Sequence, residues 1–574
     1  MDGEGIKMKK GLRTMSERVA RGYVSKLQFN TGEEIDINRN DIVVFVGPNN
    51  AGKSQALADI FKLSNTKNPT IVISDIKINK EGSLIELLKA TSLENNEGGH
   101  TYYQRLGNGV YWSGNTENSF AKQKTYGDYR NWFISKIDTA ARLEICNPAQ
   151  NIRRDEAKSN PIHYAAFEKK YRSLLSDSFK KAFGEDLNPN TQFGSVIPLC
   201  LGKSVKLEGD FRDEQERLEA YAAILETYKQ VQDQGDGIKS FTGILLYLIL
   251  GYYTYLIDEP ESFLHPPQAH IMGQLIGQIL SDQQQAFIST HSEDVIKGLL
   301  DECPDRLKII RITREGDINA FSVLDNQKIK DVFGDPLLKY SNIMSSLFHK
   351  TIVLCESDSD CKFYSIVENH IKQAKNQYSE TLFIHCGGKH RMAKTAGALK
   401  ALNIDVKLIP DIDVLNDENV IKGIAGVFGI DWESIKIDYN TLVSNLHSPK
   451  EKINRINAKN DINRVLDSSN NSELSMEEIK NISDIIKTIS KWDGIKHGGV
   501  QSIPAGNATS SFNRLNQVLK DHNVFIVPVG ELEGFVKEIG NHGPEWVNKV
   551  LESYPDLDSE VYSSVQNFIS GIGL

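Results

Sequence analysis

Short apolar runs separated by polar turns recur along the chain, and their period distinguishes strands from helices. Tyr23 to Phe29, Glu34 to Ile37 and Ile42 to Val46 read as β-strands, with Asn30-Thr31-Gly32 as a turn, and a helical pattern runs from Ala56 to Leu63. Residues from about 95 to 235 change character. They are polar loops rich in glycine and asparagine, followed by amphipathic helices expected over Ile162 to Phe183 and Glu214 to Gln232. Gly243 to Leu256 reads as a buried helix and then a buried strand; Gly251 and a tyrosine cluster interrupt it, and it is short for a membrane span. A helix with Ile271, Leu275, Ile276 and Ile279 on one face follows, then strands at Ala286 to Ser289, Leu307 to Thr313 and Ala320 to Leu324. Phe333-Gly334-Asp335-Pro336 marks a boundary.

Beyond it the pattern alternates strand and helix. The expected elements are Thr351 to Cys355, Asp360 to Ile371, Thr381 to His385, Arg391 to Leu402 and Val406 to Pro410, which is the rhythm of a parallel α/β sheet. Residues from about 416 to 505 are polar and helical, rich in Asn, Lys and Ser, and read as an insertion. A strand returns at Val524 to Val529.

Length adds that one core cannot serve 574 residues, and roughly three or four folding units are expected. A net charge of −10 argues against a uniformly basic coat but leaves room for a local basic groove. The six cysteines, Cys146, Cys200, Cys303, Cys355, Cys361 and Cys386, have no zinc spacing and fall within apolar patterns, as reduced core thiols of a cytoplasmic protein do. Lys7, Lys9, Lys10, Arg13, Arg18 and Arg21 have no apolar stretch of signal-peptide length behind them, so neither export nor a membrane is expected.

The first candidate chemistry is Gly47-Pro48-Asn49-Asn50-Ala51-Gly52-Lys53-Ser54, which fits G-x-x-x-x-G-K-[ST] between a strand and a helix. Backbone N–H groups from Asn49 to Ser54 and the helix N-terminus would cradle phosphates, Lys53 would reach the β and γ phosphates, and Ser54 would hold Mg²⁺. Downstream, the strand ending Leu256-Ile257-Asp258-Glu259-Pro260 delivers two carboxylates at its carboxyl end. Asp258 would hold Mg²⁺ and Glu259 would orient and deprotonate the attacking water. His291, at the end of the next strand, could contact the γ phosphate. An Asp-Glu pair alone is usually an exposed turn, and a lone His is usually structural. The order of the pieces is what separates this chain from those readings.

That order resembles the ATPase core of the ABC and SMC class, and Asp-Glu-Pro-Glu-Ser-Phe-Leu-His-Pro at 258 to 266 is especially similar to the OLD-family ATPases. The resemblance implies ATP and Mg²⁺ as cofactors and a head-to-head dimer in which a serine and glycine motif closes over the partner's ATP. Gly237-Ile238-Lys239-Ser240-Phe241-Thr242-Gly243 stands at that position, nominating Ser240 and Gly243, although it lacks the full Leu-Ser-Gly-Gly-Gln form.

The second candidate site is acidic. Glu356 follows one strand with Asp360 a helical turn further on, and Asp411 and Asp413 follow another with Ile412 turned away between them. Neighbouring parallel strands would bring them to one rim, where oxygen ligands select Mg²⁺ or Mn²⁺. One Glu after the first strand and Asp-x-Asp after the third resembles the Toprim fold of topoisomerases, bacterial primases and OLD nucleases, although Ser357 stands where many members carry Gly. In OLD-type members a late acidic motif supplies a second metal and a lysine beyond it assists at the phosphate. Glu531 and Glu533 match the former; Lys549 or Lys537 is the candidate for the latter.

The expected architecture is an α/β ABC-type P-loop ATPase domain over 1–335, with an insertion or dimerisation region at about 95–235, then a Toprim domain over 345–574 with an insertion at about 416–505. The resemblance implies an ATP-regulated, metal-dependent DNA endonuclease of the kind found in bacterial phage defence. Its implied partners are DNA, a second or further copies forming a dimer or tetramer, and a defence-operon protein, either a helicase or a reverse transcriptase with its RNA–DNA product. The alternative is an ATP-dependent DNA-binding clamp or scaffold with an inactive or ligand-sensing Toprim domain. A topoisomerase would need a tyrosine nucleophile, and nothing recommends Tyr364 or Tyr378.

Overall fold

The computed structural model describes residues 19–574 apart from 98–99, 154–155, 208–209, 317, 325–342, 447–453, 470–472 and 487–490. The boundary read at Phe333 to Pro336 and the basic residues Lys7 to Arg18 lie outside the described residues. The chain divides into two units, Met1–Asp331 and Val332–Leu574.

In the first unit β1 (Arg21–Phe29), β2 (Glu34–Asp36), β3 (Ile42–Val46), α1 (Lys53–Leu63) and β4 (Ile73–Glu81) come in order. The first two strands were expected to open the nucleotide-binding sheet. Instead they pair with β4 in a separate antiparallel sheet, ordered β2-β1-β4. The main sheet is completed by β5 (Ile134–Ile137), β6 (Thr254–Asp258), β7 (Gln285–Ser289), β8 (Leu307–Glu315) and β9 (Ile318–Val323), in the order β9-β8-β3-β7-β6-β5. All its neighbours run parallel except the β8/β9 hairpin.

Every residue of β3 and β7 is buried, which is why their sequences are continuous apolar runs rather than alternating ones. Ser289 at one end of β7 is polar, and so is Gln285 at the other. Its side chain accepts from Val24 N–H at 2.7 Å and donates to Val24 O at 3.2 Å, tying the antiparallel sheet to the parallel one. Val24, Phe29, Phe45, Leu57, Leu256 and Phe287 form part of one core spanning both sheets.

The stretch from 95 to 235 is not a self-contained insertion. It contributes β5, the edge strand beside β6, and α2 (Thr139–Glu144) after it. Its helices are also shorter than expected: Pro161–Phe167 and Lys169–Phe183 are separated at Glu168, and Glu214–Glu226 stops before a bridge at Lys229–Gln230. The buried helix is α3 (Asp236–Leu248), and α4 (Pro266–Ile279) joins β6 to β7.

In the second unit β10 (Thr351–Cys355), α5 (Asp358–Ala374), β11 (Thr381–His385), α6 (Lys389–Ala401) and β12 (Asp405–Ile409) make a parallel sheet ordered β11-β10-β12. Val524 to Val529 was expected as a further strand. Only Val524 bridges to Leu408, although Phe525 and Val527 donate to Leu408 O and Pro410 O along the same edge at 2.8 and 3.1 Å. Pro528 has no N–H to continue the ladder. Val353, Phe363, Ile409, Phe525, Val527 and Trp546 share the core beneath. The described residues between 416 and 505 are largely helical and include α7 (Lys491–Gly498), followed by a 3-10 turn at Gly499–Ser502; α8 (Pro544–Ser553) lies beyond it.

Gly243 on α3 has no room for a side chain, because a Cβ there would lie 1.9 Å from Arg142 O on α2. Gly243→Ala is therefore expected to lower the stability of the first unit by roughly 1–3 kcal/mol, the usual cost of overpacking, seen as a lower urea midpoint at unchanged slope.

Candidate functional site

In the first unit the glycine-rich loop runs between β3 and α1. Gly47 has φ 141, and a Cβ there would meet Ile312 O at 1.9 Å, so glycine is required. Asn50 and Gly52 also have positive φ, at 60 and 100, which folds the loop over the N-terminus of α1. Asn49, Asn50 and Ser54 are exposed at its mouth, while Ala51 is packed inside. Lys53 is 4% exposed and donates to Gly47 O at 2.9 Å and Pro48 O at 2.8 Å. Burial pushes its pKa down to about 8 against the opposing pull of Glu259, Glu261 and Asp258.

At the carboxyl ends of β6 and β7, Ser289 Oγ donates to Asp258 Oδ1. Glu259 has φ 45, a left-handed conformation rare for Glu, and its N–H is held by Ser289 O at 2.9 Å. Its Oε1 is 3.9 Å from His291 Nε2, and Oε2 accepts from Ser262 Oγ at 3.0 Å. Burial first, and then Lys53, lower the pKa of His291, with Glu259 and Asp258 opposing. Glu261 accepts from Thr290 Oγ1 at 2.8 Å and His291 N–H at 2.7 Å, and burial raises its pKa. It thereby fixes the turn that carries His291.

Two expectations change here. Ser240 is fully buried and donates to Ser262 O at 3.1 Å, and Gly243 packs on α2, so both face inward within the chain. The residue that the sequence reading missed is Arg142 on α2. It is completely buried, and its Nη1 donates to Asp258 O at 2.8 Å, bracing the strand end from behind.

In the second unit Glu356, Asp411 and Asp413 leave β10 and β12 at one rim, and an oxygen from each lies within 4.8 Å of the others. Glu356 Oε2 and Asp413 Oδ1 are buried without a hydrogen-bond partner. Burial, and then Asp413, raise the pKa of Glu356; burial, Asp360 and Glu356 hold that of Asp411 well above the ordinary range. Orphaned oxygens in a cluster that resists ionisation fit a divalent cation as the absent partner.

Asp360 stands outside this triad. Its Oδ2 accepts Ser357 N–H at 2.8 Å while Ser357 Oγ accepts Asp360 N–H at 3.3 Å, so one of its oxygens is committed to capping α5. Glu531 and Glu533 form a second triad with His542. Glu531 Oε1 lies 2.7 Å from His497 Nδ1, and Glu533 Oε1 accepts Gly543 N–H at 2.8 Å. Lys549 Nζ is engaged with Asn541 Oδ1 at 3.1 Å.

The lysines at the triads are others. Lys389 and Lys496 approach Asp413 Oδ2 at 3.1 and 3.3 Å. Burial opposes the charge of Lys496, but Asp413, Asp411 and Glu531 outweigh it and raise its pKa. Lys389 follows Gly387-Gly388, a signal the sequence did offer. Lys496, His497 and His542 offered none, because long-range folding places them.

No family model matches the chain. The curated Old nuclease of Escherichia phage P2 is 20% identical over 331 residues, 55% of this chain and 49% of the phage protein. The chain thus spans about half the length of the curated relative it matches. Among solved structures, an SMC head bound to the C-terminal winged-helix domain of ScpA is 15% identical with a TM-score of 0.31, covering 54% of this chain and 100% of that one. The SMC head domain from Thermotoga maritima is 15% identical with a TM-score of 0.29, covering 53% and 99%. An ATP-binding cassette of an ABC transporter is 13% identical with a TM-score of 0.23, covering 56% and 96%. The similarity to an Old nuclease agrees with an OLD-family ATPase–nuclease, the class read from the order of motifs. No helix among the described residues is long and apolar enough to cross a membrane.

The raised pKa of Asp411 carries a sign. The folded state binds its proton more tightly than the unfolded chain, so its stability contribution is complete below the unfolded carboxylate value and lost as pH rises through the folded one. At pH 7 without metal, Asp411→Asn is expected to raise the melting temperature of the protein. Paired melts with EDTA and with excess Mg²⁺ check this, the advantage disappearing in the second.

Proposed function

We propose that this chain is an ATP-regulated, metal-dependent DNA endonuclease of OLD type acting in anti-phage defence, with an ATPase domain over 1–335 and a Toprim nuclease domain over 345–574. The observation that carries the reading is the Glu356, Asp411 and Asp413 rim with its two orphaned oxygens. Glu356, Asp411 and Asp413 hold the cation, and Glu531 and Glu533 stand beside them. A bound Mg²⁺ or Mn²⁺ supplies Lewis-acid polarisation of the phosphodiester and a more acidic water. Lys389 and Lys496 direct ammonium groups to the same rim, where the DNA backbone brings negative charge. Arg391 and Lys394 continue this basic character along α6.

In the ATPase domain Lys53 and the loop N–H groups bind phosphates, Ser54 and Asp258 hold Mg²⁺, and Glu259 orients water with His291 at its side. Arg142 holds the Asp258 carbonyl and so keeps the strand end in register. Dimerisation through this domain closes the nucleotide site. Nucleotide state then gates access to the cleavage site.

Incubating the protein with supercoiled plasmid and Mg²⁺ or Mn²⁺ is expected to give nicked and linear DNA. Glu356→Ala and Asp413→Ala should each lower the rate by on the order of 100-fold or more. Intact plasmid under every metal condition would favour the scaffold reading. Lys53→Ala is expected to abolish ATP binding by calorimetry and to make cleavage indifferent to ATP. Equal cleavage by wild-type protein with no nucleotide, ATP and ADP would sink the gate.

A further inference from the structure

Lys496 stands between the two triads. Its Nζ is 3.3 Å from Asp413 Oδ2 in the first and 3.7 Å from Glu531 Oε2 in the second. An ammonium there meets one oxygen of each set at once and compensates both.

The other oxygens are unequally served. In the second triad Glu531 Oε1 faces His497 Nδ1 at 2.7 Å, and Glu533 Oε1 faces Gly543 N–H at 2.8 Å and His542 Nδ1 at 3.4 Å. In the first triad Glu356 Oε2 and Asp413 Oδ1 have no partner. The Tyr364 hydroxyl is also unpartnered, in a residue that is 1% exposed. Among the described residues, buried oxygens without a partner lie on the first triad, while one oxygen of each glutamate in the second faces a protein donor.

We infer that the centre takes a single divalent cation, at Glu356, Asp411 and Asp413, and that the Lys496 ammonium stands in place of a second one. This rests on the nuclease reading above and narrows it. Lys496 acts as a positioning residue that compensates Asp413 and Glu531, and the helical insertion that includes α7 becomes part of the site because it supplies that charge.

Mn²⁺ binding to the full nucleotide-free chain, counted by calorimetry and by electron paramagnetic resonance, tests the inference. An Asp258→Asn background removes the nucleotide-site carboxylate from the count. The expected result is one Mn²⁺ per chain, still one in Lys496→Arg, and two in Lys496→Met. Lys496→Gln provides a second neutral variant should the methionine protein fold poorly. Two ions in the unsubstituted protein, or one in both neutral variants, would overturn the substitution of ammonium for metal while leaving the nuclease reading intact. No Mn²⁺ in any variant would remove the metal site itself, and both readings with it.

Discussion

Carboxylates crowded at the carboxyl ends of parallel strands need positive charge nearby, and this constraint shapes both units. Burial and mutual repulsion each favour protonation. In the first unit Lys53 and Arg142 answer Asp258, Glu259 and Glu261 from two sides. In the second, Lys389 and Lys496 answer Asp413 and its neighbours. The folds differ in their surrounding helices, but the electrostatic solution is the same: cationic side chains reach a rim that the sheet alone would leave overcharged.

That solution explains why the two inserted stretches belong to the sites. Residues 95 to 235 close the main sheet with β5 and deliver Arg142 behind Asp258. Residues 416 to 505 include the helix that carries Lys496 and His497. Each insertion looks peripheral along the chain because its composition is polar. Each becomes central in space because a polar segment is where a spare cation can be found.

Local patterns made much of this legible. The phosphate loop, Asp258-Glu259 and the three strands of the second sheet were readable because glycine requirements, apolar runs and strand-end acids all lie close together in sequence. The separation of β1 and β2 from the main sheet was not, since their sheet is completed by β4, which lies far along the chain. Ser357 looked like a departure from a pattern, whereas its hydroxyl and Asp360 cap α5 reciprocally. Ser240 kept the expected place on α3, yet full burial gives it a structural bond to Ser262 O. Spacing predicts position on an element, but which way an element turns depends on the core it meets.

The contacts of Lys53 with Gly47 O and Pro48 O make its loop self-satisfied when empty. A phosphate arrives there as a competitor for a lysine that already has acceptors. Recognition then exchanges hydrogen bonds instead of adding them, and the loop needs little ordering before it can receive a ligand. Discrimination falls to the exposed mouth of the loop, Asn49, Asn50 and Ser54, and to the cation that accompanies the phosphate.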